Sequence, residues 1–161
     1  MQFQTRLIEE RDIPEVVAFS LLAWEPVFHS FEQVLGAEIY HIIYPDWQKT
    51  QAEVVESVVR DTENNTTWIA VVEEQPVGFV ACRLDQDEQT GEIYMLAVHP
   101  GFQKGGIGTT LNNLALDHMR AAGMKLAVVG TGGDPGHAPA RHAYEKVGFI
   151  PLPIVRYYQK L

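Results

Sequence analysis

The segment Val98-His99-Pro100-Gly101-Phe102-Gln103-Lys104-Gly105-Gly106-Ile107-Gly108-Thr109 sets a run of small residues between an apolar stretch and an amphipathic one. A strand-to-helix junction of this kind leaves main-chain N–H groups without a helical acceptor at the positive end of the helix dipole, and glycine lets an anion approach them closely. Each charge-assisted hydrogen bond contributes about 1.5–3 kcal/mol, so several together can hold a diphosphate with no dedicated arginine. Spacing excludes two familiar phosphate loops. Gly101 and Gly106 open like a Walker A loop, but Ile107-Gly108 occupies the place of Lys-Ser/Thr. Gly106-Ile107-Gly108 begins like a dinucleotide fingerprint, but Leu111 replaces its last glycine, and the segment lies past mid-chain behind an antiparallel meander.

The junction does fit the pattern Gln/Arg-x-x-Gly-x-Gly/Ala, with Gln103, Gly106 and Gly108 in place. Further along, Ala140-Arg141-His142-Ala143-Tyr144-Glu145-Lys146-Val147-Gly148-Phe149 follows Ala-x-x-x-Tyr-Glu-Lys-x-Gly-Phe. In this order the two stretches resemble the cofactor-side motifs of the GNAT superfamily of acetyl-CoA-dependent N-acetyltransferases, and Leu96-Ala97-Val98-His99-Pro100 looks like that family's fourth strand and the turn after it. The likeness covers residues 1–161 in overall pattern and residues 92–149 at the level of motifs.

The resemblance implies an enzyme that uses acetyl-CoA as co-substrate, without a metal, and acetylates a primary amine by direct attack in a ternary complex. It implies that Gln103, Lys104, Gly105, Gly106, Ile107, Gly108 and Thr109 bind the diphosphate. Leu96 and Val98 would pair with the pantetheine arm, and N–H groups near Leu96 and Ala97 would polarise the acetyl carbonyl. Tyr144 takes the place of the general acid: a phenol near pKa 10 keeps its proton at neutral pH and can deliver it to a departing thiolate. The competing reading is a helix tyrosine that packs its ring on the core. Glu92 stands where some members carry a general-base glutamate, against the alternatives of an ordinary surface glutamate after Thr90-Gly91 or a water chain. His137 departs from the family, which usually has a cofactor-contacting Asn there. A cofactor contact, a substrate contact and a plain loop residue all stay open, as does the role of the loop 130–136.

Composition bounds the rest. The chain has 161 residues, 46% of them hydrophobic, which is the size of one globular domain, taken here as residues 1–161. A single cysteine, Cys82, in an apolar run excludes a disulfide framework and lies away from both motifs, which argues against an acyl-enzyme. The net charge of −9 argues against nucleic acid as a partner. Residues 1–99 carry net −13 and residues 100–161 net +4, a split that suits a cationic substrate on one side and an anionic co-substrate on the other, or that is surface solvation only. The first twelve residues do not read as a signal peptide and no apolar run reaches spanning length, so a soluble cytoplasmic protein with no membrane partner is expected. A homodimer is left open.

The elements that must position these residues follow from periodicity. A short strand over residues 3–9 precedes a helix over 13–24 ended by Pro26, a helical segment over 30–44 weakened by Gly36, and a helix over 45–61. Strands over 67–73, 76–84 and 92–98 form a meander. Ile107, Leu111, Leu114, Ala115 and Met119 form a helical stripe ending near Gly123, followed by a strand over 126–129, a helix over 139–147 closed by Gly148, and one or two strands over 149–161. The expected fold is α/β of the α+β type: a mixed, mostly antiparallel sheet of six or seven strands flanked by helices, with the fourth and fifth splayed to admit the co-substrate. Trp24, Glu25, Phe28, His29, Phe31, Glu32, Tyr40, Tyr44 and Trp47 occupy the segment that in this family lines the acceptor site, and such a wall suits an amine. Aromatics at helical spacing are more often core, the preferred reading for Phe31, Tyr40 and Trp47. The rival function is a non-catalytic acyl-CoA-binding or regulatory domain, which would have no use for Tyr144.

Overall fold

The alternating start of the chain and the apolar runs beyond residue 65 build a five-stranded sheet in the computed structural model, which describes residues 2–161. Strands β1 (Gln4–Leu7), β2 (Thr66–Val72), β3 (Gln75–Asp85) and β4 (Thr90–Val98) pair antiparallel in chain order, and β5 (Leu126–Val129) joins β4 in parallel. Parallel pairing demands a crossover, which the helix between β4 and β5 supplies.

Helices α1 (Ile13–Leu35), α2 (Ala37–Ile43) and α3 (Trp47–Arg60) precede β2, whereas α4 (Ile107–Ala121) and α5 (Ala138–Lys146) follow β4 and β5. Side chains alternate across a strand, and the two faces of the sheet therefore build two cores. Ile69, Phe79, Ala81 and Ala97 meet Val16 and Phe19 of α1 and Val55 and Val59 of α3. Ala70, Val80, Cys82, Ile93 and Val98 meet Ile107, Leu111, Ala115 and Met119 of α4. Among the described residues no helix is long and apolar enough to cross a membrane.

Two expectations are corrected. Pro26 lies inside α1 instead of ending it. The carbonyl that loses its partner belongs to Leu22, which is half exposed. Packing on both sides of the proline holds the helix, with Phe19 and Trp24 edge-on to Phe79 and Phe28 stacked on Trp47 at 4.2 Å. The helix stops at Gly36, whose φ of 76° separates α1 from α2. Residues 149–161, expected to add one or two strands, form none, so the sheet has five strands and not six or seven. Pro151 and Pro153 cannot donate to a ladder, and Ile150, Leu152, Ile154 and Tyr157 are exposed.

Asp12 stands at the N-cap position of α1 but makes no side-chain cap to it. It accepts from Arg6 Nη1 and Nη2 at 2.6 and 2.8 Å and from the Glu9 amide at 2.8 Å, while only 4% exposed. The bonds from Arg6 hold its carboxyl below the usual range although burial works to raise it. A depressed carboxyl contributes stability above its unfolded value of 3.8, and that contribution is lost as pH falls below it. Asp12→Asn is therefore expected to cost about 2 kcal/mol at neutral pH, between the worth of an exposed and a buried pair. Urea titrations of parent and variant should show that difference shrinking as the pH is lowered past the unfolded value.

Candidate active site

The strand that carries Glu92 is divided by a bulge. Cys82 of β3 lies opposite Ile93 and its neighbour Ala81 opposite Met95, so Tyr94 is the extra residue. A bulge bends its strand and sharpens the local twist. Here it coincides with the end of the β4–β5 ladder, whose last pair is Ile93 with Val129. Beyond it β4 runs on through Leu96, Ala97 and Val98 with no partner on that side, while the chain leaves β5 for the loop 130–134. The two strands thus part into a wedge.

The glycine-rich junction closes one end of the wedge. After a 3-10 turn, Pro100–Phe102, the Gln103 carboxamide donates to the Val98 carbonyl at 3.0 Å and ties the loop to the end of β4. Lys104 and Gly106 both take positive φ, 64° and 87°, and α4 begins at Ile107, whose side chain is buried and anchors the first turn. The first amide of this region that finds a carbonyl is that of Thr110, which donates to Gly106 at 3.0 Å. Among the described residues, the amides of Lys104, Gly105, Gly106, Ile107, Gly108 and Thr109 have no protein acceptor. Six successive free donors stand at the positive end of a fifteen-residue helix, an arrangement able to accept an anion.

Tyr144 sits on α5, half-buried, its ring edge-on to Phe149 at 5.9 Å. Burial pushes its phenol up to about 12. Its hydroxyl has no protein partner among the described residues, so its proton is available to a ligand.

Glu92 is placed differently from a free base. Its Oε2 accepts from Arg83 Nε and Nη2 at 2.8 and 2.7 Å, and the same guanidinium lies 3.9 Å over the Tyr94 ring. Cys82 is buried in the sheet, its thiol pushed up to about 11 by burial, which leaves it protonated and unreactive at neutral pH.

His137 ends a 3-10 turn, Pro135–His137, that runs directly into α5 and packs on α1. Its Nδ1 meets Asp134 Oδ1 at 2.5 Å. Asp134 Oδ2 also accepts from Ser30 Oγ at 2.7 Å and from the Gly136 amide at 3.0 Å, and Arg141 Nη1 donates to the carbonyls of Gly132 and Asp134 at 2.6 and 2.8 Å. The loop 130–136 is therefore a pinned structure. Sequence reasoning missed Asp134, Ser30 and Arg141. Asp134 was within reach, because Asp-Pro-Gly carries the pattern of a capping residue followed by proline in the first turn. Ser30 gave no local signal, since it is 104 residues away from Asp134 in the chain.

The aromatic segment gathers on the other flank. Phe28 and Tyr40 are buried, Phe31 stacks on Tyr44 at 5.4 Å, and Phe31 also faces the His137 ring at 5.4 Å. Glu25, His29, Glu32, Tyr40 and Trp47 line a cleft between α1, α2 and α3.

Residues 36–149 match the model of the acetyltransferase (GNAT) family. A mycothiol acetyltransferase of Streptomyces scabiei is 35% identical over 83 residues, 52% of this chain and 26% of that protein. The match thus spans about a quarter of the length of that curated relative. In fold, the chain superposes on PaiA N-acetyltransferase from Thermoplasma acidophilum, solved with coenzyme A, with a TM-score of 0.71 at 16% identity over 93% of this chain and 91% of that one. An aminoglycoside acetyltransferase from an uncultured soil metagenomic sample, solved with sisomicin, gives a TM-score of 0.60 at 21% identity, covering 99% and 96%.

Proposed function

The chain belongs to the acetyltransferase (GNAT) family, and from that premise we propose that it moves the acetyl group of acetyl-CoA onto the primary amine of a small-molecule or peptide acceptor. The observation that carries this reading is the row of unpartnered amides from Lys104 to Thr109, which fits the diphosphate of coenzyme A. The unpaired length of β4 through Leu96, Ala97 and Val98 suits an extended pantetheine arm laid into the wedge, where main-chain groups can pair with its amides. Bound there, acetyl-CoA supplies an activated acyl carbon and a thiolate leaving group.

The protein's own part is to bind, orient and move protons. Tyr144 is assigned the general acid, on the strength of its available hydroxyl and of a phenol that stays protonated far above neutral pH. The acceptor approaches from the α1–α2–α3 flank, where Glu25 and Glu32 beside Tyr40 and Trp47 suit a cation. Neighbours of the same fold named as an aminoglycoside acetyltransferase and a ribosomal-protein-alanine N-acetyltransferase, and the relative named as a mycothiol acetyltransferase, define the first acceptors to try.

Calorimetry of the purified protein with coenzyme A is expected to show uptake, and thiol release from acetyl-CoA across aminoglycosides, polyamines, amino acids and peptide N-termini should pick out an acceptor. Absence of uptake removes the reading. A non-enzymatic acyl-CoA-binding domain would bind and release no thiol with any amine. Transfer without an acyl-enzyme further predicts that Cys82→Ala keeps full turnover and that mass spectrometry finds no acetyl group on the parent's Cys82, in line with a buried thiol held near 11.

A further inference from the structure

Asp134 and Phe31 meet the His137 imidazole, and Ser30, the Gly136 amide and Arg141 hold Asp134 and its loop in place. Asp134 is only 9% exposed, yet burial, which works to raise its carboxyl, is outweighed by the bonds from Ser30 and His137, so the group stays ionised at neutral pH. An ionised carboxylate can only accept. Its bond to His137 therefore fixes the ring proton on Nδ1 and leaves the lone pair of the neutral imidazole on Nε2. Among the described residues Nε2 has no protein partner, while the ring is held on its other sides: Phe31 faces it, and a Cβ added at Gly132 would collide with Nδ1. The carboxylate is held as firmly, with Ser30 Oγ donating to it and accepting from the Gly136 amide at 2.9 Å, and Arg141 gripping the loop from α5.

Position gives this pair its meaning. His137, Arg141 and Tyr144 stand at i, i+4 and i+7 along the continuous helical run from Pro135 to Lys146, hence on one face of it. Seven residues of helix span about 10 Å. The proton acceptor lies against the aromatic flank, where Phe31 faces its ring, and the proton donor stands about two turns further along the same helix. Glu92, by contrast, has its carboxylate engaged by Arg83.

We infer that His137 Nε2 is the general base that deprotonates the acceptor amine, with Asp134 and Ser30 as the residues that position it. This rests on the acetyl-transfer reading above. The ammonium gives one proton to Nε2, which passes it to water. The nitrogen lone pair forms the N–C bond to the acetyl carbon as the C–S bond breaks. The sulfur takes the Tyr144 proton, and the second proton of the nitrogen returns to the Tyr144 oxygen, so that amide, free thiol and one released proton balance the reaction.

The test is the pH dependence of kcat/KM for the amine at saturating acetyl-CoA. The charged and titratable groups that face His137 are Asp134, Arg141 and, across Phe31, Tyr44, and all but Asp134 stay untouched in the variants. His137→Gln is expected to lower kcat/KM roughly a hundredfold or more near neutral pH, with the deficit closing as alkali frees the amine and with coenzyme A affinity kept. Asp134→Asn should lower kcat more than it changes KM, because the carboxylate that fixes the ring's tautomer and orientation is gone. His142→Gln, exposed on the same helix, serves as a control and should keep the parental profile. Ring-nitrogen NMR of the parent should show His137 as the Nδ1–H tautomer, a reading that does not depend on any variant folding. A parental profile in His137→Gln, loss of the acid limb in Glu92→Gln instead, or an Nε2–H tautomer overturns the base while leaving acetyl transfer standing. A parent that binds no coenzyme A, or releases no thiol with any amine, overturns both.

Discussion

Tyr144→Phe is expected to lower kcat by about 10²–10⁴-fold, the usual worth of a general acid, while coenzyme A binds as tightly as before. The substitution keeps the ring and hence its edge-on contact with Phe149, so α5 keeps its seat and only the proton donor is lost. A phenol pushed up to about 12 looks too weak an acid for a thiolate whose conjugate acid lies near 8.5 in water. The same burial strengthens the sulfur as a base, however. Desolvation raises the proton affinity of donor and acceptor alike, which narrows the gap between them in the direction that general acid catalysis needs. It follows that ionisation of Tyr144 should cause no descending limb in kcat below about pH 11. Steady-state kinetics of the variant, paired with calorimetry, checks both claims: parental turnover in Tyr144→Phe, or an alkaline limb near pH 9, would remove Tyr144 from the reaction.

Local motifs were the most legible part of the chain. The meander strands, the α4 stripe and the glycine junction rest on contacts close in sequence, and their periods of 2 and 3.6 show through the composition. Pro26 misled because local chemistry alone ends a helix there, whereas Phe79 and Trp47, far along the chain, hold α1 together on both sides of it. The segment 149–161 misled for the opposite reason. Ile150, Leu152 and Ile154 alternate like a strand, but a strand also needs a donor at each rung, and the prolines between them have none.

The site divides the same way. A backbone cradle is written into Gly105, Gly106 and Gly108, because only small residues permit it. The bulge at Tyr94 leaves no trace in composition, being a one-residue mismatch between two strands that each look regular alone. His137 showed itself as a departure from a pattern, without a role, because its meaning depends on Asp134 and on Ser30 from the opposite end of the chain.

Gly106→Val should abolish coenzyme A binding at micromolar concentrations while the protein stays folded. Gly106 holds φ at 87°, a conformation a β-branched residue resists at a cost of about 1–2 kcal/mol. A Cβ added there meets no protein atom within 4 Å, so no clash forces the core apart and the melting temperature should fall only a few degrees. The strain is relieved by turning the peptides on either side, which are those that aim the amides of Gly106 and Ile107. Losing two charge-assisted bonds at about 1.5–3 kcal/mol each corresponds to a loss of affinity of about a hundredfold or more. Because α4 is anchored separately, by Ile107, Leu111 and Ala115 in the core beneath β3, its packing does not depend on the turn. Calorimetry and thermal melting of the same sample separate the two effects: a variant that still takes up coenzyme A with parental affinity would show that the diphosphate is gripped elsewhere.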